Sequence, residues 1–397
     1  MSDSPPAAGH RDRCAISGIG ATAFTAASGR SPLSLATEAA LAAIADAGLR
    51  PDDIDGIVRS EMDGVAHNDL ATALGLTNLT YWGSSGTGGA APCGQIGQAV
   101  GAILSGQATA VVVFRALNGR SGPRFGRGTG RSPRVGGRGT LDEFFAPHGL
   151  VAPGQMFALI ARRHMIEFGT DERHLGAIAL ACRERANANP AAQMHDRPLT
   201  MDDYLAARVI SSPLRLFDYC LETDGACAVV VTSAERAADG PNTPALIRAV
   251  AQGSVPEMQG GMIYPTLLRE SITTQTSAAV AATLYRRAGL GPDEIQVAQF
   301  YDCFTITVLL QVEDYGFCAK GEGGPFAASG ALDKGGRLPI NTSGGHLSEG
   351  YIHGMNHIVE GVRQIRGTST SQIAGAEVCL VTSGLPVATS AMILRRP

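Results

Sequence analysis

The side chains able to do chemistry are unevenly supplied in this chain, and the shortages narrow what it can do. Of 32 basic residues only Lys320 and Lys334 are lysines, so Schiff-base chemistry has two candidates. The eight cysteines (Cys14, Cys93, Cys182, Cys220, Cys227, Cys303, Cys318 and Cys379) are scattered through apolar segments with no CxxC pair. They read as buried, reduced thiols rather than zinc ligands or a redox dithiol. The nine histidines show neither HxH nor HExxH spacing; His353 and His357 stand four apart, a weak signal, and no metal is expected. What remains is proton transfer and hydrogen-bond donation. Two turns lead into helices: GSSGTGGAAP, with Gly88 and Gly89, and NTSGGHLSEG, with Gly344, Gly345 and His346. Backbone N–H groups of such a turn, aided by the helix dipole, can hold a developing oxyanion. Tyr351 follows the second turn, with His346 and His353 close by in sequence. A tyrosine, with a pKa near ~10, needs positive charge or donors to its oxygen before it serves as a base. Most tyrosines are core residues with a satisfied hydroxyl, and Tyr81, Tyr204, Tyr219, Tyr285 and Tyr315 are placed in that class.

The elements that must position these groups occur twice. LATEAALAAIADAGLRPDDIDGIV (35–58) and TSAAVAATLYRRAGLGPDEIQVAQ (276–299) each read as an Ala-rich helix, a Gly stop, a Pro-Asp-acid turn and a strand. Their AGL triplets begin at Ala47 and Ala288, a period of about 240 residues. A second pair follows, GQIGQAVGAILSG (94–106) and GMNHIVEGVRQIRG (354–367), each preceded by one of the glycine-rich turns and followed by an apolar strand. Strands too apolar to have a wet face predict sheets covered by helices on both sides. The expected domains are a tail (1–11), a first half (12–240) with an insertion at about 115–213, and a second half (241–397). The insertion opens with seven arginines between Arg115 and Arg138 and no acid before Asp142. That run reads either as a solvated loop or as a surface for phosphates or an acidic partner.

Composition supports a folded, soluble reading. With 397 residues, 44% hydrophobic and 17% charged, the chain can bury a large core. A net charge of −4 gives no field for nucleic acid or an anionic membrane. No apolar run approaches the ~20 residues that span a bilayer, and the N-terminus lacks a signal-peptide h-region. A cytoplasmic protein without nucleic-acid or membrane partners is expected.

Three runs carry a family resemblance: PLRLFDYCLETDGACAVVV (213–231), FYDCFTITVLLQVEDYGFCAKGEGGPF (300–326) and NTSGGHLSEGYIHGMNHIVEGVRQIRG (341–367). In order and spacing they resemble the sterol-carrier-protein-X-like branch of the thiolase superfamily, over nearly the whole chain. The resemblance implies an α/β thiolase fold: two pseudo-symmetric βαβαβαββ halves in a layered α-β-α-β-α arrangement with an inserted loop domain. It also implies a homodimer and a coenzyme A thioester as substrate, with no further cofactor. Catalytic members carry a cysteine in an NCSTG-like turn, histidines in HDCF and GHP motifs, and a second cysteine before the last strand. Here the turn reads GSSGTGG, which places Ser85 at the nucleophile position, or Ser84 if the alignment slips by one. YDCF puts Tyr301, and GYI puts Tyr351, where histidines are expected; VTSG offers no cysteine, and Cys379 sits earlier.

With all four thiolytic groups replaced, the tyrosines in YDCF and SEGYIHG resemble those of the steroid side-chain aldolases, also called lipid-transfer-protein-type. That resemblance implies retro-aldol cleavage of a β-hydroxyacyl-CoA with a bulky, steroid-like alcohol portion. The products would be a ketone or aldehyde plus a shorter acyl-CoA such as propionyl-CoA or acetyl-CoA. It further implies a small partner of OB-fold and zinc-ribbon build, giving a heterotetramer. Such a cleavage needs a base for the β-hydroxyl proton, donors for the thioester enolate and an acid for its carbon, but no covalent nucleophile. The expectation is Tyr301 as base and Tyr351 as acid, with exchange of the roles left open. Gly88, Gly89, Gly344, Gly345, His346 and His353 are the oxyanion or shell candidates, and Asp302 is structural, bonding backbone across the strand end. Ser85 is read as a turn remnant without a base. The rival readings are an acyltransferase using Ser85 or a displaced cysteine, and a non-catalytic lipid-binding subunit.

Overall fold

The computed structural model describes residues 10–86, 88–122, 146–254, 271–385 and 388–397. Its first half runs β1 (Cys14–Ala21), α1 (Pro32–Asp46), β2 (Gly56–Arg59), α2 (His67–Leu74), β3 (Tyr81–Ser84), α3 (Pro92–Leu104) and β4 (Ala110–Asn118). Three helices follow, α4 (Pro153–Phe168), α5 (Glu172–Asn187) and α6 (Met201–Ala206), then a short pair, β5 (Val209–Ser211) and β6 (Leu214–Arg215), before β7 (Asp224–Ser233) and α7 (Ala234–Ala238). The second half has β8 (Ala245–Ser254), α8 (Thr276–Ala288), β9 (Val297–Gln299), α9 (Thr305–Asp314), α10 (Gly323–Ala328), α11 (Gly345–Ser348), α12 (Met355–Arg366), β10 (Val378–Thr382) and β11 (Ala388–Arg395).

The repeat in the sequence is a repeat in local structure. Both Ala-rich helices stop at a left-handed glycine, Gly48 (φ 72°) and Gly289 (φ 67°), where a side chain would be strained. Both then enter a 3₁₀ turn whose acid folds back on the backbone. Asp53 accepts from Arg50 N–H at 2.8 Å, and Glu294 from Gly291 N–H at 2.5 Å. The strands also correspond. The first half is ordered β3-β2-β4-β7-β1 and the second β8-β11-β10-β9, so each has an antiparallel late strand inserted beside its first. The counterpart of β3 is reduced to one parallel bridge, Ala298 to Ile340. The halves join where β1 meets β8 antiparallel, Ala15 opposite Leu246 and Ile16 opposite Ala245.

Helices and half-sheets alternate in five layers. α1 covers the outer face of β1, β4 and β7, and α8 covers β8 and β11. Between the half-sheets lie α3 and α12, touching each other and strands of both halves. A shared core of Cys14, Ile96, Val229, Ile247, Ile358 and Leu394, all fully buried or nearly so, fills that middle layer. Each such aliphatic side chain contributes about 1.5–3 kcal/mol by leaving water. This is the α-β-α-β-α thiolase arrangement that the resemblance implies.

The segment between β4 and β7 leaves the first half and packs on the second. α5 lies against α9, α10 and α11, where Leu175, Ile178 and Cys182 join Ile306, Leu309 and Leu310 in one core. Tyr204 Oη donates to Asp218 at 2.7 Å, and Thr305 Oγ1 donates to the same carboxylate oxygen at 2.6 Å, tying the segment to the start of α9. Of the arginine run, Arg124 to Arg138 lies outside the described residues. Among the described residues no helix is long and apolar enough to cross a membrane.

Candidate active site

Tyr301 stands just beyond β9, where the chain leaves the sheet. Its N–H donates to Thr382 Oγ1 at 2.9 Å, and its carbonyl accepts from Gln311 Nε2 at 2.8 Å and Thr307 Oγ1 at 3.0 Å. Three glycines make room for its ring. A Cβ on Gly89 would lie 1.9 Å from the hydroxyl oxygen, one on Gly384 3.1 Å from the ring, and one on Gly354 3.2 Å from it. Gly384 and Gly354 were not singled out by sequence, although Gly384 closes the VTSG motif. Tyr351 sits between α11 and α12, its N–H bonded to Thr223 Oγ1 at 2.8 Å. The two hydroxyls meet at 2.8 Å. Residues fifty apart in sequence thus form one hydrogen-bonded pair, Tyr301 buried and Tyr351 half-buried.

Burial raises both hydroxyl pKa values well above the usual phenol range, so both are neutral phenols at rest. The other influences differ. For Tyr301 the neighbouring Tyr351 pushes in the same direction as burial. For Tyr351 the thiols of Cys220 and Cys303 also raise the pKa, while the hydrogen bond from Tyr301 and the charge of Arg115 pull it back.

Arg115, near the end of β4, stands among the groups around the tyrosines, whereas sequence reading placed it only at the head of the arginine run. It is buried, its Nη1 pairs with Asp63, and its Nε and Nη2 reach His353 Nδ1 at 3.1 and 2.9 Å. The His353 ring stands edge-on to Tyr351, centroids 4.9 Å apart. Nothing in local sequence joins Asp63, Arg115 and His353; strand pairing does, with β2 beside β4.

His346 is edge-on to both tyrosines, at 4.6 and 4.8 Å. Its Nε2 lies 3.0 Å from Gly354 N and 3.1 Å from Asn356 Oδ1, and its Nδ1 lies 3.2 Å from Asp302 Oδ1. Its imidazole pKa is held well below the usual value by burial and by His357. His357 Nε2 donates to Asp302 Oδ1 at 2.9 Å, and Asp302 also accepts the N–H groups of His346 (2.8 Å) and Leu347 (3.2 Å). Those bonds more than offset the cost of burying Asp302 and lower its pKa. Asp302 therefore does bond backbone, and two histidines converge on it. Among the described residues, Asp302, His346 and His357 are a group of three whose donor atoms lie close enough to hold a metal ion. No spacing announces it, because it forms across 55 residues of chain. In this structure Asp302 accepts from His357 and from two backbone N–H groups.

The two glycine-rich turns have different surroundings. Gly88 and Gly89 lie against His353 and the Tyr301 hydroxyl. Gly344 N–H is committed to Asn341 O at 2.8 Å, and a Cβ on Gly345 would strike Asp302 at 2.2 Å, so that turn packs on the carboxylate behind the tyrosines. Ser85 Oγ is buried without a hydrogen-bond partner, so no base is placed on it. Burial pushes the Cys93 thiol up to about 12 and the Cys303 thiol higher, leaving both as poor nucleophiles.

Comparison with known proteins follows the same lines. Residues 266–396 match the family model described as thiolase C-terminal domain-like. The chain is 46% identical, over 96% of its length and 99% of the relative's, to the 17-hydroxy-3-oxo-4-pregnene-20-carboxyl-CoA lyase of Mycobacterium tuberculosis. It is likewise 46% identical to the steroid side-chain-cleaving aldolase of Thermomonospora curvata, over 96% of this chain and 97% of that one. Among solved structures, the Ltp2-ChsH2(DUF35) aldolase matches with a TM-score of 0.92 and 44% identity, covering 98% of each chain.

Proposed function

Since this chain belongs to the thiolase superfamily, among its steroid side-chain-cleaving aldolases, we propose that it cleaves a β-hydroxyacyl-CoA by passing one proton through the Tyr351–Tyr301 pair. The 2.8 Å contact between the two hydroxyls carries this reading. Two neutral phenols in line need no standing phenolate, which suits their raised pKa values. The β-hydroxyl gives its proton to Tyr351 Oη, Tyr351 gives its own to Tyr301 Oη, and Tyr301 delivers a proton to the α-carbon. The substrate O–H and Cα–Cβ bonds break; a carbonyl and a Cα–H bond form. The direction is opposite to the order expected from sequence. Arg115 favours negative charge on Tyr351, whereas Tyr301 Oη lies against Gly89, in the turn we assign to the enolate oxygen.

A 17-hydroxyl and a 20-carboxyl-CoA, the groups in the relative's name, make a β-hydroxy thioester, so a substrate of that class would give a ring ketone and propionyl-CoA. A partner protein is supported by the two-component name of the matching aldolase, and the resemblance suggests for it a small OB-fold and zinc-ribbon build in a heterotetramer. No cofactor beyond the coenzyme A thioester is required by this chemistry. Incubating the chain with its partner and a panel of β-hydroxyacyl-CoA thioesters tests the proposal. Ketone and shortened acyl-CoA in equal amounts are expected. A covalent acyl-enzyme on Ser85 or a cysteine, seen by mass spectrometry, would move the chain to acyl transfer.

A further inference from the structure

The geometry points to the buried Asp63–Arg115 pair as a tautomer lock, which holds His353 neutral with its proton on Nε2 beside Tyr351. Its part in turnover rests on the proposed cleavage; the lock itself rests on the structure of the free protein.

A guanidinium has five donors, no acceptor, and keeps its charge at every working pH. Both of its nitrogens that reach His353 converge on Nδ1, at 3.1 and 2.9 Å. Nδ1 must therefore offer a lone pair, and the proton of a neutral ring then sits on Nε2. Protonating His353 would set a cation against Arg115 in a site that excludes water. The groups facing the ring agree: Arg115 with Asp63 behind it from the first half, and Tyr351 and His346 from the second. Burial, then Arg115, then His346 push the imidazole pKa well below its ordinary value.

The lock is anchored from the other half of the molecule. Asp63 accepts from Ser60 N–H at 2.9 Å and Ala116 N–H at 3.4 Å, so its carboxylate is fixed between the end of β2 and β4. Arg59 holds the same turn through the carbonyls of Ser60 and Asp63, at 3.1 and 3.2 Å. His353 itself adopts a left-handed backbone (φ 49°), which a β-substituted residue rarely takes. Its Cε1 and Nδ1 stand 3.5 and 3.7 Å from where a Gly88 Cβ would stand, so the edge held by Arg115 borders the first-half turn. Arg115 and Asp63 act through His353 and are positioning residues.

Nitrogen-15 NMR of histidine-labelled wild-type protein, without substrate, tests the lock directly. His353 should show a protonated Nε2 and an unprotonated Nδ1, unchanged between about pH 5.5 and 8.5, a window spanning the ordinary imidazole pKa of about 6.5. A titrating ring, or a proton on Nδ1, overturns the inference whether or not the chain is an aldolase. Absent cleavage with an intact lock would instead sink the functional reading alone. In turnover, Arg115→Gln should lower kcat about 100-fold, the low end of what acid–base groups contribute, with KM little changed and a new acidic limb near pH 6–7. His353→Gln, which keeps a neutral donor, should retain more kcat than His353→Ala. An unchanged pH profile in Arg115→Gln, or equal loss in the two His353 variants, would contradict the assignment.

Discussion

The glycine-rich turns of the two halves occupy equivalent places, each leading toward a helix of the central layer, yet they do different work. In the first half Gly89 lies on the reacting hydroxyl of Tyr301 and Gly88 faces His353. In the second half Gly345 lies on Asp302, which gathers His346, His357 and two backbone N–H groups. Tyr301, Tyr351, His346 and His353, around the hydroxyls, come from the second half. The first half contributes backbone, the Asp63–Arg115 pair and the Cys220 thiol. A symmetric frame thus carries an asymmetric site: one turn lies on the Tyr301 hydroxyl, and its twin on the carboxylate behind the tyrosines.

Breaking the active side of that comparison should have the largest effect. Tyr301→Phe and Tyr351→Phe should each lower kcat by about 10³–10⁴, near the top of the range for acid–base groups, with thermal unfolding unchanged. Gly89→Ala and Gly345→Ala then separate the twins. The first pushes a methyl into the Tyr301 hydroxyl and should cost about 10²–10³ in kcat with the fold intact. The second meets Asp302 at 2.2 Å in a left-handed backbone (φ 62°), and should show first as a loss of several degrees in melting temperature. Equal melting temperatures for the two variants would erase the distinction.

The buried histidines give a smaller effect with a definite sign. His346 and His353 have folded pKa values below the unfolded value of about 6.5, so the unfolded chain binds the extra protons. Their contribution is complete above that pH and is lost as the pH falls below it toward the folded values. Chemical denaturation should therefore show stability declining below about pH 6.5, and His353→Gln should flatten part of that decline. The smallest effect belongs to Ser85→Ala, expected to change stability by no more than about 0.5 kcal/mol and to leave turnover near wild type.

Much of this arrangement was legible because it is local. The Ala-Gly-Leu stops, the Pro-acid turns and the glycine-rich turns write their backbone geometry in a few residues, and the repeat follows from them. Tyr301 and Tyr351 were legible through the motifs they interrupt. What escaped was produced by tertiary pairing. Arg115 looked like the start of a solvated basic run, but β4 continues to Asn118 and buries it beside Asp63. His357 is separated from Asp302 by 55 residues that only the packing of α12 against β9 brings together. Gly344 and Gly345 were grouped with Gly88 and Gly89 because equivalent turns share a sequence signature; the side chain packed against each turn decides its use.

The claim that the two hydroxyls act as one relay is best tested by a double-mutant cycle on turnover of a β-hydroxyacyl-CoA. If each proton must pass both oxygens, the Tyr301→Phe, Tyr351→Phe double variant should be no slower than either single variant. Losses that multiply would show two independent groups, and a single variant retaining near wild-type kcat would remove its tyrosine from the path.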